Sequence, residues 1–180
     1  MERVYVAELE APESPIGTLR LASTERGLAC VQLPAAGGRG FAGWLARHAP
    51  GAVLETAFAP NREAARQLAE YLAGKRAEFE LPVDLRGTDF QRAVWSELRR
   101  IPYGEVRSYA DVARAIGAPH AVRAVGAANG ANPLAIVVPC HRVVATGGAL
   151  GGYGGGAALK RWLLMMERGH VETGAQGRLL

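Results

Sequence analysis

The chain has 180 residues, 49% hydrophobic and 21% charged, a composition typical of a soluble globular protein with one core or two small ones. Two cysteines, Cys30 and Cys140, are too few for a disulfide scaffold or a four-cysteine zinc site. No apolar run is long enough to span a membrane, and no apolar segment near the N-terminus indicates a signal peptide. We therefore expect a cytoplasmic protein.

The net charge of +4 is unevenly distributed along the chain. Residues 88–180 carry 11 basic and six acidic side chains, whereas residues 1–87 carry 10 basic and 11 acidic ones. Nineteen of the 21 basic residues are arginine, which suits phosphate groups, although an arginine-rich codon usage would give the same count. A polyanionic partner, if the protein has one, is expected to bind the C-terminal half.

The first half of the sequence alternates between strand and helix patterns. Residues 1–33 contain short alternating apolar segments that predict strands, and residues 61–74 have the spacing of an amphipathic helix. Residues 80–87 show no periodicity, as expected of a linker. The sequence therefore predicts an N-terminal α/β domain over residues 1–87, linker included, and a second domain over residues 88–180.

The second half begins with helix signals. Thr88 starts a capping box before one apolar stripe, and Ser108 caps a second helix. A third helix, predicted over Pro119–Ala128, completes a helix-turn-helix pattern. An apolar strand is then predicted over residues 134–138, and a last amphipathic helix is predicted to end at Gly169.

Cys140 is the residue most suggestive of chemistry. It follows the apolar segment directly, after Pro139 and beside His141 and Arg142, and a basic environment favours the reactive thiolate. A buried structural thiol is the alternative, and Cys30 is assigned to the core on that ground. In a regular strand Cys140 and His141 would point to opposite faces, so their cooperation requires a bend at Pro139.

Several segments of the second half resemble one known family. The match includes the motif around the cysteine and further segments in the order and at the spacing of that family: Pro102–Tyr109, Arg123–Gly126, Asn132-Pro133, Pro139–Val143, Gly151–Tyr153 and Lys160–Glu167. Residues 88–170 are thereby similar to the O6-alkylguanine-DNA alkyltransferases. The N-terminal part resembles them more loosely, through Ser14–Gly17 and the strands around it.

The resemblance implies an α+β fold. A small N-terminal sheet and helix domain of the RNase H-like type would precede a C-terminal helical domain with a helix-turn-helix and an active-site strand. It also implies DNA repair, in which the alkyl group of O6-alkylguanine, and of O4-alkylthymine, moves irreversibly to Cys140 in a single turnover. No cofactor is expected. No metal is expected either, because the chain lacks the cysteines and histidines of the zinc site that some members carry.

The family also implies roles for individual residues. His141 would take the thiol proton through a water molecule, Glu167 would orient that imidazole, and Tyr109 would meet guanine N3. Asn132 would tie the recognition helix to the active-site strand. The substrate pocket would be formed by Pro139, Val143, Tyr153 and Gly154. Without the resemblance, Glu167 would be interpreted as a solvated residue near a helix end. Tyr109 would fit equally well as an aromatic residue that packs on the core.

The expected partner is double-stranded DNA, bound by a monomer through the minor groove with the damaged base flipped out. Arg123 would enter the duplex in place of the base, and the other DNA-contacting residues would be Ser108, Tyr109, Ala124 and Ala128. Two other functions remain open at this stage. A non-catalytic helix-turn-helix protein that binds lesions or regulates genes leaves Cys140 without a role, and a cysteine hydrolase requires an oxyanion hole and multiple turnovers.

Overall fold

A computed structural model of the protein describes residues 1–34 and 40–176, with side chains as far as residue 170. The chain divides into two compact units. The first unit contains residues 1–87 and 133–137, and the second contains residues 88–132 and the chain from residue 138 onward. None of the helices within the described residues has both the length and the apolar character needed to cross a membrane.

The first unit contains a four-stranded sheet with the strand order β3-β2-β1-β4. Strand β1 pairs antiparallel with β2 and parallel with β4, and β2 pairs antiparallel with β3. The elements of this unit are β1 (Arg3–Ala11), β2 (Gly17–Thr24), β3 (Gly27–Gln32), α1 (Phe41–His48), β4 (Val53–Thr56), a 3₁₀ turn (Ala59–Asn61) and α2 (Arg62–Leu72). The strands predicted within residues 1–33 and the helix predicted from residue 61 are confirmed, whereas α1 and β4 were not predicted.

The second unit is mainly helical. Its elements are α3 (Asp89–Leu98), β5 (Arg107–Ser108), α4 (Tyr109–Ala115), α5 (Val122–Gly130), a 3₁₀ turn (Cys140–Arg142), β6 (Val143–Val144) and α6 (Ala157–Gln176). The box predicted at Thr88 and the cap predicted at Ser108 are both present, and in the structure Ser108 also forms a complete capping box with Asp111. Together with the sheet of the first unit, these elements form the expected α+β fold.

Two helix boundaries differ from the prediction. Helix α5 begins at Val122 instead of Pro119, because Pro119 lies inside a turn that the Ala121 amide closes onto the Ala118 carbonyl at 2.9 Å. Helix α6 continues past Gly169 to Gln176. Gly169 does not adopt a positive φ, so it does not form the left-handed cap that ends many helices.

The predicted active-site strand over residues 134–138 is wrong. Leu134 bridges to Val31 of the sheet, and the chain then turns at Ile136, which has a φ of 73°. The Val137 amide donates to the Ala135 carbonyl at 2.9 Å, so Ile136 is the centre of a γ-turn, a strained position for a β-branched residue. This segment is apolar because it is buried, and burial by itself does not impose strand geometry.

Candidate active site

Cys140 begins a 3₁₀ turn that directly follows Pro139. Pro139 has a φ of −80° and a ψ of 63°, and the Cys140 amide donates to the Val138 carbonyl at 2.8 Å, which defines an inverse γ-turn. The bend required by the sequence is therefore present. Successive side chains of a 3₁₀ turn are about 120° apart instead of the roughly 180° of a strand, so Cys140 and His141 do not face opposite sides.

The Cys140 thiol lies in the interior, with the residue only 7% exposed. Burial raises the pKa of this thiol above its usual value. The Asn132 side chain, the charge of Lys160 and the amides of Cys140 and His141 act in the opposite direction without cancelling the effect of burial. At neutral pH the resting site therefore holds a thiol, which needs a base before it can react.

His141 and Glu167 form a fully buried pair. The distance between His141 Nε2 and Glu167 Oε1 is 2.8 Å. Burial lowers the pKa of His141 although Glu167 favours the charged form, so the imidazole is neutral at pH 7. A carboxylate can only accept hydrogen bonds, so Nε2 carries the hydrogen and Nδ1 is the basic nitrogen. This imidazole can therefore accept a proton at Nδ1.

The Glu167 carboxylate is surrounded by further donors. Arg142 donates from Nη2 to Oε1 at 2.8 Å and from Nε to Oε2 at 3.0 Å, and the Gly104 amide donates to Oε2 at 3.2 Å. Burial alone would raise the pKa of Glu167, but the hydrogen bonds from His141 and Arg142 outweigh it and hold this pKa at about 2. Glu167 is therefore ionised at any pH near neutrality.

Two tyrosines belong to the same region. Tyr109 is the first residue of α4, and its pKa is raised by burial and by the nearby Cys140. A Cβ on Gly151 would come within 2.8 Å of the Tyr109 hydroxyl, which would then have to move, and the φ of 71° at Gly151 favours glycine as well. Tyr153 meets the His141 ring edge-on, with 6.5 Å between ring centroids, and burial holds its pKa well above 10.

The other predicted pocket residues differ in exposure. Pro139 and Val143 are buried, whereas Gly154 is exposed, and a Cβ there would meet no atom within 4 Å. The Val143 carbonyl accepts a hydrogen bond from Lys160 Nζ at 2.5 Å. Asn132 Nδ2 donates to the Val138 carbonyl at 2.8 Å, which joins the end of α5 to the segment that carries Cys140.

The predicted DNA-contacting residues lie on or near α5. Arg123 and Ala124 are exposed on this helix, and Ser108 caps α4 by accepting a hydrogen bond from the Asp111 amide at 3.0 Å. Ala128 does not belong to the exposed face. It is buried, and its carbonyl accepts a hydrogen bond from Trp95 Nε1 at 2.8 Å, because α5 packs on α3 along this side.

Among the side chains that the structure describes, in residues 1–34 and 40–170, no group of three or more His, Cys, Asp and Glu is placed to hold a metal ion. Comparison with known proteins then identifies the family. The ribonuclease-like domain of 6-O-methylguanine DNA methyltransferase matches residues 4–85, and the DNA-binding domain of the same protein matches residues 89–169. The chain belongs to the 6-O-methylguanine DNA methyltransferase family. Both the resemblance and the α+β architecture expected from the sequence are confirmed.

Individual relatives resemble the chain over one or both units. A methylated-DNA–protein-cysteine methyltransferase of Mycolicibacterium paratuberculosis is 59% identical over 107 residues, which are 59% of this chain and 65% of the relative. One of Methanosarcina barkeri is 43% identical over 159 residues, 88% of this chain and 96% of the relative. The crystal structure of Mycobacterium tuberculosis OGT in complex with DNA matches with a TM-score of 0.76 and 43% identity, over 93% of this chain and 94% of that chain.

Two buried cations of this site were not predicted from the sequence. Arg142 lies on the Glu167 carboxylate, and Lys160 is fully buried and donates to the Val143 carbonyl. One signal for Lys160 was available. Lys160, Leu163 and Glu167 are three and four residues apart, so they share the buried face of α6, and a charged residue on such a face needs a polar partner.

Proposed function

We propose that this chain repairs alkylated DNA by moving an alkyl group from guanine O6 to Sγ of Cys140, once per protein molecule. The observation that supports it best is the buried cluster of Cys140, His141 and Glu167, with His141 Nε2 2.8 Å from Glu167 Oε1. A nucleophile, a base and a carboxylate that orients the base are the three parts of nucleophilic catalysis. The names of the relatives, methylated-DNA–protein-cysteine methyltransferases, agree with this reaction.

The transfer balances as a single displacement. The thiol proton passes to His141, a sulfur electron pair forms the bond to the alkyl carbon, and the bond from this carbon to O6 breaks. Its electrons go to the guanine, which then takes up a proton. The ionised Glu167 stabilises the imidazolium that forms, and a thioether is not hydrolysed under cellular conditions. Each molecule of protein therefore reacts once.

The pocket would hold the base by hydrogen bonds and apolar contact. The raised pKa of Tyr109 keeps its hydroxyl protonated, so it can donate to guanine N3 as negative charge develops. We propose that Pro139 and Tyr153 form the walls, that the Gly154 amide donates to O6, and that the Val143 carbonyl accepts from the guanine amine. This carbonyl has a second lone pair beside the one that its lysine partner uses.

Access of the base to Cys140 requires flipping, because a base stacked in a duplex cannot reach a buried sulfur. We propose that α5 enters the minor groove and that Arg123 takes the place of the flipped base. Two features support this. Arg123 is exposed and forms no ion pair with any described side chain, and its neighbour Ala124 is small enough to let the helix backbone approach the DNA closely.

The proposal extends to three further properties. O4-alkylthymine presents an alkylated oxygen in the same way as O6-alkylguanine and would be a second substrate. A monomer suffices, because one chain carries Cys140, His141, Glu167 and the helix-turn-helix. The free thiols of Cys30 and Cys140 fit the reducing cytoplasm.

The test is the stoichiometry of transfer. The protein is mixed with an excess of duplex oligonucleotide containing O6-methylguanine, and intact-mass spectrometry counts the methyl groups transferred. We expect one added methylene, mapped by digestion to the peptide of Cys140. The Cys30→Ala variant should take up the methyl group normally, because Cys30 is a core residue whose pKa burial raises to about 12.

The alternatives give different counts. A non-catalytic helix-turn-helix protein would bind the oligonucleotide and take up nothing, and a cysteine hydrolase would release many equivalents without staying modified. Transfer that persists in Cys140→Ser, or modification at Cys30, would disprove the assignment of the nucleophile.

A further inference from the structure

The guanidinium of Arg142 binds the Glu167 carboxylate, which in turn orients His141. Arg142 Nη2 lies 2.8 Å from Glu167 Oε1, and Arg142 Nε lies 3.0 Å from Oε2, so two parallel hydrogen bonds join the two groups. Glu167 is fully buried, and the Arg142 side chain is only 7% exposed. A two-pronged pair of this kind fixes the plane of the carboxylate as well as its position.

Arg142 is held at its other side too. Its Nη1 donates to the Ile101 carbonyl at 2.8 Å, just beyond the end of α3, and its guanidinium lies over the Tyr103 ring at 5.6 Å from the centroid. These two contacts hold the Arg142 side chain independently of Glu167. Glu167 is thereby fixed against the turn between α3 and β5.

The charged and titratable groups that act on His141 lie on α6 and on the turn of His141 itself. Helix α6 contributes the Glu167 anion and the Lys160 cation, and the turn of His141 itself contributes Arg142 and the Cys140 thiol. Tyr153 meets the ring edge-on and stays neutral. Glu167 is the only anion among these groups at neutral pH, and Arg142 is in contact with it.

We propose that Arg142 is a positioning residue of the alkyl transfer, which fixes the Glu167 carboxylate and offsets its charge so that His141 remains a neutral base. The inference rests on the function proposed above. A lone buried carboxylate at 2.8 Å would favour the imidazolium, which cannot accept the thiol proton. A carboxylate paired with a guanidinium still orients the imidazole but attracts the proton less strongly.

This role differs measurably from a merely structural one. Removing the Arg142 cation should raise the pKa values of both His141 and Cys140, because each then loses a proton less readily. This holds whether the proton that passes between them starts on the thiol or on the imidazole. The acid limb of the rate against pH therefore moves to higher pH. A side chain that only stabilised the fold would change the amount of active protein and leave the position of the limb unaltered.

The experiment measures two single-turnover reactions of Cys140 against pH, in a Cys30→Ala background. The reagents are iodoacetamide, which reports thiol ionisation, and free O6-benzylguanine, which reports transfer without DNA. The rate constant refers to reactive molecules only, so a partly unfolded sample changes the amplitude and not the rate. The variants are Arg142→Met, Arg142→Lys, Glu167→Gln and the double variant Arg142→Met/Glu167→Gln.

We expect the acid limb of Arg142→Met to rise by about one pH unit or more. The double variant should return it close to the parent position, because both charges are then absent. Arg142→Lys keeps the positive charge but cannot form the two parallel hydrogen bonds to the carboxylate. The acid limb of its pH–rate profile should therefore stay near the parent position, while its plateau rate falls several-fold. If Arg142→Met does not fold, Arg142→Gln replaces it as a neutral side chain that keeps hydrogen-bond donors.

An acid limb that stays at the parent position in Arg142→Met overturns the inference, as does a double variant that keeps the full displacement. The two reagents separate this result from a failure of the proposed function. If iodoacetamide shows the displacement while even the parent takes no benzyl group, the charge balance stands and the alkyl transfer is wrong.

Discussion

Replacing Glu167 with glutamine removes the charge from a fully buried carboxylate that is hydrogen-bonded to His141 and Arg142. These contacts hold the pKa of Glu167 at about 2 against a usual value of 4.5, although burial opposes them. At about 1.4 kcal/mol for each pKa unit, the ionised form contributes on the order of 3 kcal/mol to the free energy of unfolding. Breaking buried ion pairs costs about 3–5 kcal/mol, which is a similar magnitude.

The pH dependence follows from the direction of this pKa. A lowered pKa means that the stabilisation is complete above about pH 4.5 and is lost as the pH falls towards 2. Between these limits the parent should lose roughly 1.4 kcal/mol per pH unit from this group. The Glu167→Gln variant has no carboxylate to protonate at this position and so has no such stabilisation to lose. The difference in free energy of unfolding between parent and variant should therefore be largest at pH 7 and become smaller at acid pH.

Urea unfolding at pH 7, 4 and 3 measures this difference. Tryptophan fluorescence reports the second unit through Trp95 and Trp162, provided that Trp44 of the first unit is replaced by phenylalanine in every protein compared. Stability curves of parent and Glu167→Gln that run parallel from pH 7 to pH 3 would refute the reasoning, since they would mean that Glu167 titrates alike in the folded and unfolded states.

The matched control is Glu105→Gln in the same unit. Glu105 pairs with Arg107 at 2.8 Å, but both side chains are about half exposed. Exposed pairs contribute only about 0–1 kcal/mol. A loss at Glu105 as large as that at Glu167 would show that burial is not the cause.

Two further substitutions test the DNA interface and the pocket. Arg123→Ala should slow repair of duplex DNA by roughly tenfold or more, because flipping costs a few kcal/mol, and should leave the reaction with free O6-benzylguanine nearly unchanged. An equal loss with both substrates would refute insertion into the duplex. Gly151→Ala should slow both reactions by displacing the Tyr109 hydroxyl. The control is Gly148→Ala, because Gly148 also has a positive φ, of 90°, but a Cβ there meets no atom within 4 Å, so this variant should react at nearly the parent rate. Equal rates for the two glycine variants would contradict the role of Tyr109.

Short-range signals predicted much of the secondary structure. The capping boxes at Thr88 and Ser108 depend on four consecutive residues, so the sequence contains all the information needed to place these helix starts. All four side chains of strand β4 are exposed, so neither face of the strand needs to be apolar. Its sequence therefore lacks the alternation of apolar and polar residues from which a strand is predicted. The segment over residues 134–138 has the apolar composition of a strand without its geometry, since composition reports burial and not backbone conformation.

The sequence by itself determined the family and singled out Cys140 as the proposed nucleophile, because Cys140, its neighbours and the surrounding motifs lie in contiguous segments. Only the tertiary structure decided how Glu167, 26 residues beyond His141, divides its carboxylate between that imidazole and Arg142. Helical periodicity assigns Glu167 to the buried face of α6 but does not say which side chains it meets there. Those contacts depend on how α6 packs against the turn at Cys140, and the protonation states of the site follow from them.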